Sequence, residues 1–313
     1  MTSLHLLAAG LAAALAAAQP RPVLLTTDAG ADMDDQWALA HLALSPEFDL
    51  RGVVTTHTGK HKILPDPAAE STARVAREVL DRMPLKIRPQ VIPGSSLPLA
   101  GRTEPRRNPG ADFLLKASGG FTRDRRLTVL VIGAATDAAS ALLADPSLAA
   151  RIEIVAMGFR GWPQGGDEFN IQNDVRAWQV LLDSGVPITV GDGAVTLRDL
   201  RMTRERARAL FDSRGAPGRY LASLLTDWLD QKAELVRRVT GDPNWWPVWD
   251  QVTVAHLLGF TRAETHGRPR LRNDLSFDHR PKPASRITWV TSVDSGRLWA
   301  DFTSKLDRAL ARP

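Results

Sequence analysis

No cysteine occurs among the 313 residues. Disulfides, lipid attachment through a thiol, thiolate catalysis and thiolate metal sites are therefore excluded. A Gly-x-Ser-x-Gly nucleophile elbow, a Walker phosphate loop and a His-Glu-x-x-His zinc motif are also missing, which removes three familiar hydrolase readings. After residue 20 no apolar stretch is long enough to cross a bilayer, and neither an internal repeat nor a low-complexity linker is seen. The net charge of +5 rests on scattered arginines. The densest groups, at 102–107, 123–126 and 198–208, are broken by acids or proline. A nucleic-acid face needs clustered basic residues with interleaved aromatics, so no nucleic-acid partner is expected.

What is present suits a folded chain, since 43 % of the residues are hydrophobic and that is ample for a core. Residues 1–18 form an alanine-rich apolar run ending in small residues before Gln19-Pro20. This reads as a signal peptide cleaved after Ala18, although His5 is the only basic residue ahead of the run. The expectation is an exported protein, periplasmic or secreted, with no stable membrane span and one domain over 19–313. Without disulfides, such a protein relies on its core and a bound ion.

The most informative stretch is 22–44, RPVLLTTDAGADMDDQWALAHLA. An apolar run climbs into two threonines, and then Asp28, Asp32, Asp34 and Asp35 follow within eight residues. A helical apolar pattern begins at Trp37. The pattern predicts a buried strand, an acidic turn and a helix carrying Asp34 and Asp35 in its first turn. Open α/β sheets place ligands at the carboxyl ends of their strands. Like charges at this density repel unless a cation sits among them, and a hard divalent cation with oxygen ligands suits them. The plainer alternative is that Asp34 and Asp35 favour the helix dipole and cap it. That alternative leaves Asp28 and Asp32 unexplained.

Further along, strands are expected at 49–56, 86–92, 127–132, 152–157 and 187–190, with helices at 66–83, 134–143 and 174–184 between them. Residues 95–125, rich in Gly, Pro and Arg, read as a long surface excursion. Residues 158–172 read as a glycine-rich loop holding Asp167, Glu168 and Asn170. From 197 to 239 the pattern is helical and charged. Asp250 starts an apolar helix, and the tail from 287 holds one strand and one helix. This alternation points to an α/β fold with a mostly parallel central sheet and helices on both faces, Rossmann-like.

Six segments, in order, resemble the nucleoside hydrolases. They are Asp28…Asp34-Asp35, Val91-Ile-Pro-Gly94-Ser-Ser-Leu-Pro-Leu99, Ile132-Gly133-Ala-Ala-Thr136-Asp137, Met157-Gly158 with Glu168-Phe169-Asn170-Ile171, Ser184-Gly185-Val-Pro187-Ile188-Thr189, and Trp249-Asp250. The resemblance spans about residues 22–260. It implies Ca2+-dependent cleavage of the N-glycosidic bond of a ribonucleoside or related N-riboside. By resemblance the calcium is held by Asp28, Asp35, the carbonyl of Ile132 and Asp250, and Asp28 also takes the proton of the attacking water. Asp34, Glu168 and Asn170 match the family's sugar-hydroxyl ligands. The partner implied is a small molecule; a homo-oligomer is left open.

The chain also departs from the family pattern. Three residues separate Gly30 from the Asp34-Asp35 pair, which leaves Asp32 without a role. Lys60 stands where the family has Asn after the second strand, and the loop from 157 to 168 is short. Trp249 stands where many members have a His that activates the leaving base. Trp cannot protonate a base, although it stacks on one. Lys60 and Trp249 are thus substrate-side positions. They keep two rivals open: a weak or inactive sugar-binding homologue, and a hydrolase of a different, anionic glycoside. Taken alone, Glu168-Phe-Asn170 suits turn chemistry, Asp250 an N-cap, and Trp245, Trp246 and Trp249 plain packing. His57 and His61, on a loop with lysines, are expected at solvent or at the pocket rim.

Overall fold

The computed structural model describes residues 19–166, 168–283 and 285–312, with the Lys60 side chain also outside the description. The signal-peptide expectation for residues 1–18 and the position of Asp167 therefore lie outside the described residues. In the first half, strands and helices alternate as β1 (Arg21–Thr27), α1 (Asp34–Leu44), β2 (Phe48–Thr55), α2 (Ala68–Arg82), β3 (Val91–Pro93), α3 (Pro109–Ala117), β4 (Leu127–Val131) and α4 (Thr136–Ala144). The chain continues through β5 (Ile152–Met157), α5 (Phe169–Asn173), α6 (Val175–Asp183), β6 (Ile188–Gly191), α7 (Gly193–Asp199), β7 (Arg201–Thr203), α8 (Arg204–Phe211), α9 (Gly215–Gln231) and α10 (Ala233–Thr240). It closes with β8 (Trp245–Pro247), α11 (Gln251–Leu257), β9 (Thr261–Gly267), β10 (Arg270–Leu271), β11 (Phe277–Asp278), β12 (Arg286–Val293) and α12 (Ser295–Leu310).

Eight strands form the main sheet in the order β3-β2-β1-β4-β5-β6-β12-β9. Every pairing in it is parallel except that of β12 with β9. Parallel strands are covered on both faces and so read as continuous apolar runs. Val23 to Leu25 and all of β4 are buried, with Leu25 lying between Val53 and Leu130. One core layer packs Trp37 and Leu39 of α1 with Val79 of α2, Leu225 of α9 and Phe302 of α12. The opposite layer packs Leu114, Ala139 and Trp178 of α3, α4 and α6. The α/β, mostly parallel architecture is as expected.

The order has a functional consequence. From β1 the chain winds outward through β2 and β3, then returns to place β4 on the other side of β1. The carboxyl ends of β1 and β4 therefore flank a topological switch point, where such sheets form their ligand crevice. Asp28 follows β1 directly, and Ile132 follows β4.

Local differences from the sequence reading have physical causes. Of the expected strand 86–92 only Val91 and Ile92 pair with β2, and the pairing runs on to Pro93. The excursion 95–125 contains α3, begun by Asn108, whose side chain accepts from the Ala111 amide at 3.0 Å, with Pro109 in the first turn. Proline suits that first turn because it has no amide hydrogen to leave unpaired. The 158–172 loop ends in α5, capped by Glu168. Strand β9 is largely exposed and lacks the apolar alternation that would reveal it. His57 is buried rather than at the rim. Its Nδ1 accepts from the Gly59 amide at 2.9 Å, so its Nε2 carries the proton and donates to Thr136 Oγ1 at 2.8 Å. His61 is exposed and stacks on Phe169 at 4.6 Å.

Candidate active site

Asp28 follows a strand whose last five residues are buried, and it is itself only 2 % exposed. Its neighbour across the crevice is Gly133, where an added Cβ would stand 2.7 Å from the Asp28 amide and 2.8 Å from its Oδ1. Any side chain at 133 would displace Asp28, so the close approach of the β1 and β4 ends requires glycine there. Asn173 Nδ2 donates to Asp28 Oδ2 at 3.3 Å, and its own buried Oδ1 has no partner.

Asp34 and Asp35 open α1, whose capping position is Met33 with no side-chain cap. Asp35 accepts from the Thr27 hydroxyl, and Asp34 Oδ2 accepts from the Asp250 amide at 3.1 Å. Asp250 occupies the position before α11, yet its side chain makes no capping bond. The N-cap alternative thus fails for Asp250, and its carboxylate is free to face the crevice. Asp34, Asp35 and Asp250 each offer an oxygen within 4.8 Å of the others. Glu168 does act as a cap, its Oε2 accepting from the Ile171 amide at 3.1 Å. Asn170 Nδ2 donates to the Ile132 carbonyl at 3.1 Å.

One pocket gathers these groups. Asp28, Asp34, Asp35 and Asp250 line it together with the Ile132 backbone. Glu168, Asn170 and Trp249 line it too. The Lys60 side chain lies outside the described residues, so this substrate-side expectation is not placed. The same pocket has an aromatic and apolar lining from Trp228, Leu235, Val239 and Trp246.

Asp32, left without a role by the sequence, accepts from Trp246 Nε1 at 2.6 Å. It ties the acidic turn to the aromatic wall. Sequence reasoning also missed Asn173 and Arg160, the latter a lining residue of the pocket. A signal for Asn173 exists, since it lies three residues beyond Asn170 and so on the same face of α5.

Burial sets the electrostatics. Asp28 is pushed well above the usual carboxylate range by desolvation and then by the charges of Asp35 and Asp34. Asp35 and Asp250 are raised in the same way, by burial first and Asp34 second. Burial raises Asp34 to about 6 and Glu168 to about 7, with backbone amides opposing the rise in both. Burial is thus the first cause for each of these carboxyls, and among the described residues the Arg160 guanidinium opposes the rise at Glu168. The donor set is oxygen only, carboxylates with a backbone carbonyl, and it fits a hard divalent cation such as Ca2+.

The sequence model of the inosine-uridine preferring nucleoside hydrolases matches residues 23–300. The chain belongs to that family. Every residue placed above, from Asp28 to Asp250, falls inside the match. No curated protein matches the chain. Among solved structures, a purine-preferring ribonucleoside hydrolase from Gardnerella vaginalis is similar with a TM-score of 0.73 at 18 % identity, covering 93 % of this chain and 99 % of that one. A plant nucleoside hydrolase gives 0.67 at 18 %, covering 92 % and 99 %. An inosine-uridine preferring hydrolase from Bacillus anthracis gives 0.66 at 15 %, covering 92 % and 99 %. At such identities these likenesses establish the nucleoside hydrolase fold.

Proposed function

We propose that the protein hydrolyses the N-glycosidic bond of a ribonucleoside or related N-riboside in a Ca2+-dependent reaction. The observation that carries this reading is the buried carboxylate cluster at the switch point between β1 and β4. Asp28, Asp35, the Ile132 carbonyl and Asp250 would hold the ion, which supplies positive charge among the acids and makes a nearby water easier to deprotonate.

Asp28 takes the proton of the attacking water, and Asn173 holds its Oδ2 in place. The water oxygen bonds to the anomeric carbon while the C–N electron pair departs with the base. Positive charge then develops on the ribosyl ring, and the surrounding carboxylates stabilise it. Asp34, Glu168 and Asn170 hold sugar hydroxyls, which fixes the ring between water and base. Trp249 offers the base a flat apolar face.

Ribose release from a panel of purine and pyrimidine nucleosides tests the proposal. Release is expected with calcium present and should stop on chelation; a protein that cleaves no nucleoside in the panel would overturn it.

A further inference from the structure

Away from the carboxylates, the described pocket wall carries a single ionisable side chain, Arg160. Its guanidinium carbon stands 5.9 Å from the centre of the Trp249 ring. The segment bearing it is held in an unusual conformation. Phe159, fully buried, has φ of 63°, a left-handed conformation that costs energy in a side-chain-bearing residue. That conformation is anchored on both sides. The Gly193 amide donates to Phe159 O at 3.0 Å, and the Gly161 amide donates to Asp192 Oδ2 at 3.0 Å. Asp192 is in turn held by Trp289 Nε1 at 2.6 Å. The Arg160 amide closes the turn onto Gly165 O at 2.8 Å. A costly reversal, locked from two directions, delivers one cation to the pocket beside Trp249.

We infer that Arg160 is a catalytic residue that stabilises the departing base as an anion, in place of the protonating histidine that Trp249 replaces. This rests on the hydrolase reading above. As the C–N bond breaks, its electron pair passes to the base nitrogen and negative charge spreads over the ring. The guanidinium, beside a base stacked on Trp249, meets that charge with hydrogen bonds. It gives up no proton, because arginine stays charged at any working pH. The base takes a proton from solvent after release, and the water proton goes to Asp28, which returns it to solvent, so the sum is riboside plus water to ribose plus base.

The test compares leaving groups. Inosine and uridine leave as poor anions, whereas a nitrophenyl riboside leaves as a stabilised phenolate that needs no help. Arg160→Met, which keeps the stem beside Trp249, should lower kcat on inosine and uridine by roughly 100-fold. The nitrophenyl riboside should change by about threefold or less, and KM should move little, because the charge exists only in the transition state. Arg160→Lys should recover part of the nucleoside rate. Equal losses on both substrate types, or a loss confined to KM, would overturn the role of Arg160 and leave the hydrolase reading standing. Wild-type protein that cleaves the nitrophenyl riboside but no nucleoside would overturn it too. Wild-type protein that cleaves neither removes both readings.

Discussion

The acidic wall of the pocket is built from the ends of elements in the main sheet layers, whereas the aromatic wall is built from α9, α10 and the short strand β8, with Arg160 and Trp249 added from two connections. Asp28 follows β1, Ile132 follows β4, and Asp35 and Asp250 lie at the starts of α1 and α11, all within the covered layers of the sheet. Arg160 sits in the turn after β5, Trp249 between β8 and α11, and Leu235 and Val239 on α10. Preorganised charge needs a scaffold that does not relax, and strand ends supply it. A hydrogen bond from Trp246 Nε1 to Asp32 joins the two walls.

If this division is right, damage to the acidic wall is the more severe. Asp28→Asn should lower kcat by roughly 1,000-fold, the middle of the range for loss of a general base. Its melting curve should stay cooperative, since the substitution removes a buried charge and keeps the shape. Activity within tenfold of wild type would take the role of base away from Asp28. Calcium should act on the same wall. At a hundredfold excess over its Kd it should stabilise the fold by about 2.7 kcal/mol, read as a rise in Tm that a chelator reverses. A melting curve indifferent to calcium would separate the carboxylate cluster from metal binding.

The same division explains what was legible beforehand. Strand and helix alternation is written in local apolar periodicity, so β1, β4, β5 and their helices were visible. The acids of the rigid wall sit at element ends, and their short-range spacing marked them. The partners that complete the site are set through space instead. Nothing near Asp32 in sequence announces Trp246, 214 residues away. Nothing near Lys60 announces that the Asn173 backbone lies against Gly59, where an added Cβ would stand 2.6 Å from its carbonyl oxygen. Helix α3 was hidden because its start signals, Asn108 and Pro109, lie in a stretch whose composition reads as loop. His57 looked exposed by its basic neighbours, yet Gly59 and Thr136 satisfy both ring nitrogens and allow burial.

The joint between the walls can be cut. Trp246→Phe keeps an aromatic ring against Trp228 and Trp249, whose centroids lie 5.6 and 6.0 Å from it, but removes the donor to Asp32. The expected loss is about 1–3 kcal/mol in denaturant unfolding, the cost of a buried acceptor left without its donor. Asp32→Ala should make the second substitution nearly silent in a double-mutant cycle. Additive losses would mean that the bond carries no coupling between the walls.

A smaller effect isolates what burial alone does to a carboxyl at this end of the sheet. Asp137 lies in the first turn of α4, outside the pocket lining, and is fully buried. Its Oδ1 accepts from the Ser95 amide at 3.0 Å, and the Thr56 and Asn108 side chains lie close enough to act on the carboxyl. Burial pushes it up to about 7, against the pull of the Ser95 amide and the Thr56 and Asn108 side chains. The sign follows from proton uptake. A carboxyl whose folded pKa exceeds its unfolded one contributes stability that is full below about pH 4 and is lost as pH rises through about 7. Asp137→Asn keeps the acceptor for Ser95 and removes the titration. The variant should therefore match wild type near pH 4.5 and exceed it by about 1–2 kcal/mol at pH 8, below the limit of about 4 kcal/mol that a shift of this size allows. Denaturant midpoints measured with chelator across that window check this, because groups common to both proteins cancel in the difference. Parallel curves would show that Asp137 ionises freely in its buried site, and burial would then no longer suffice to explain the high-titrating acids of the pocket.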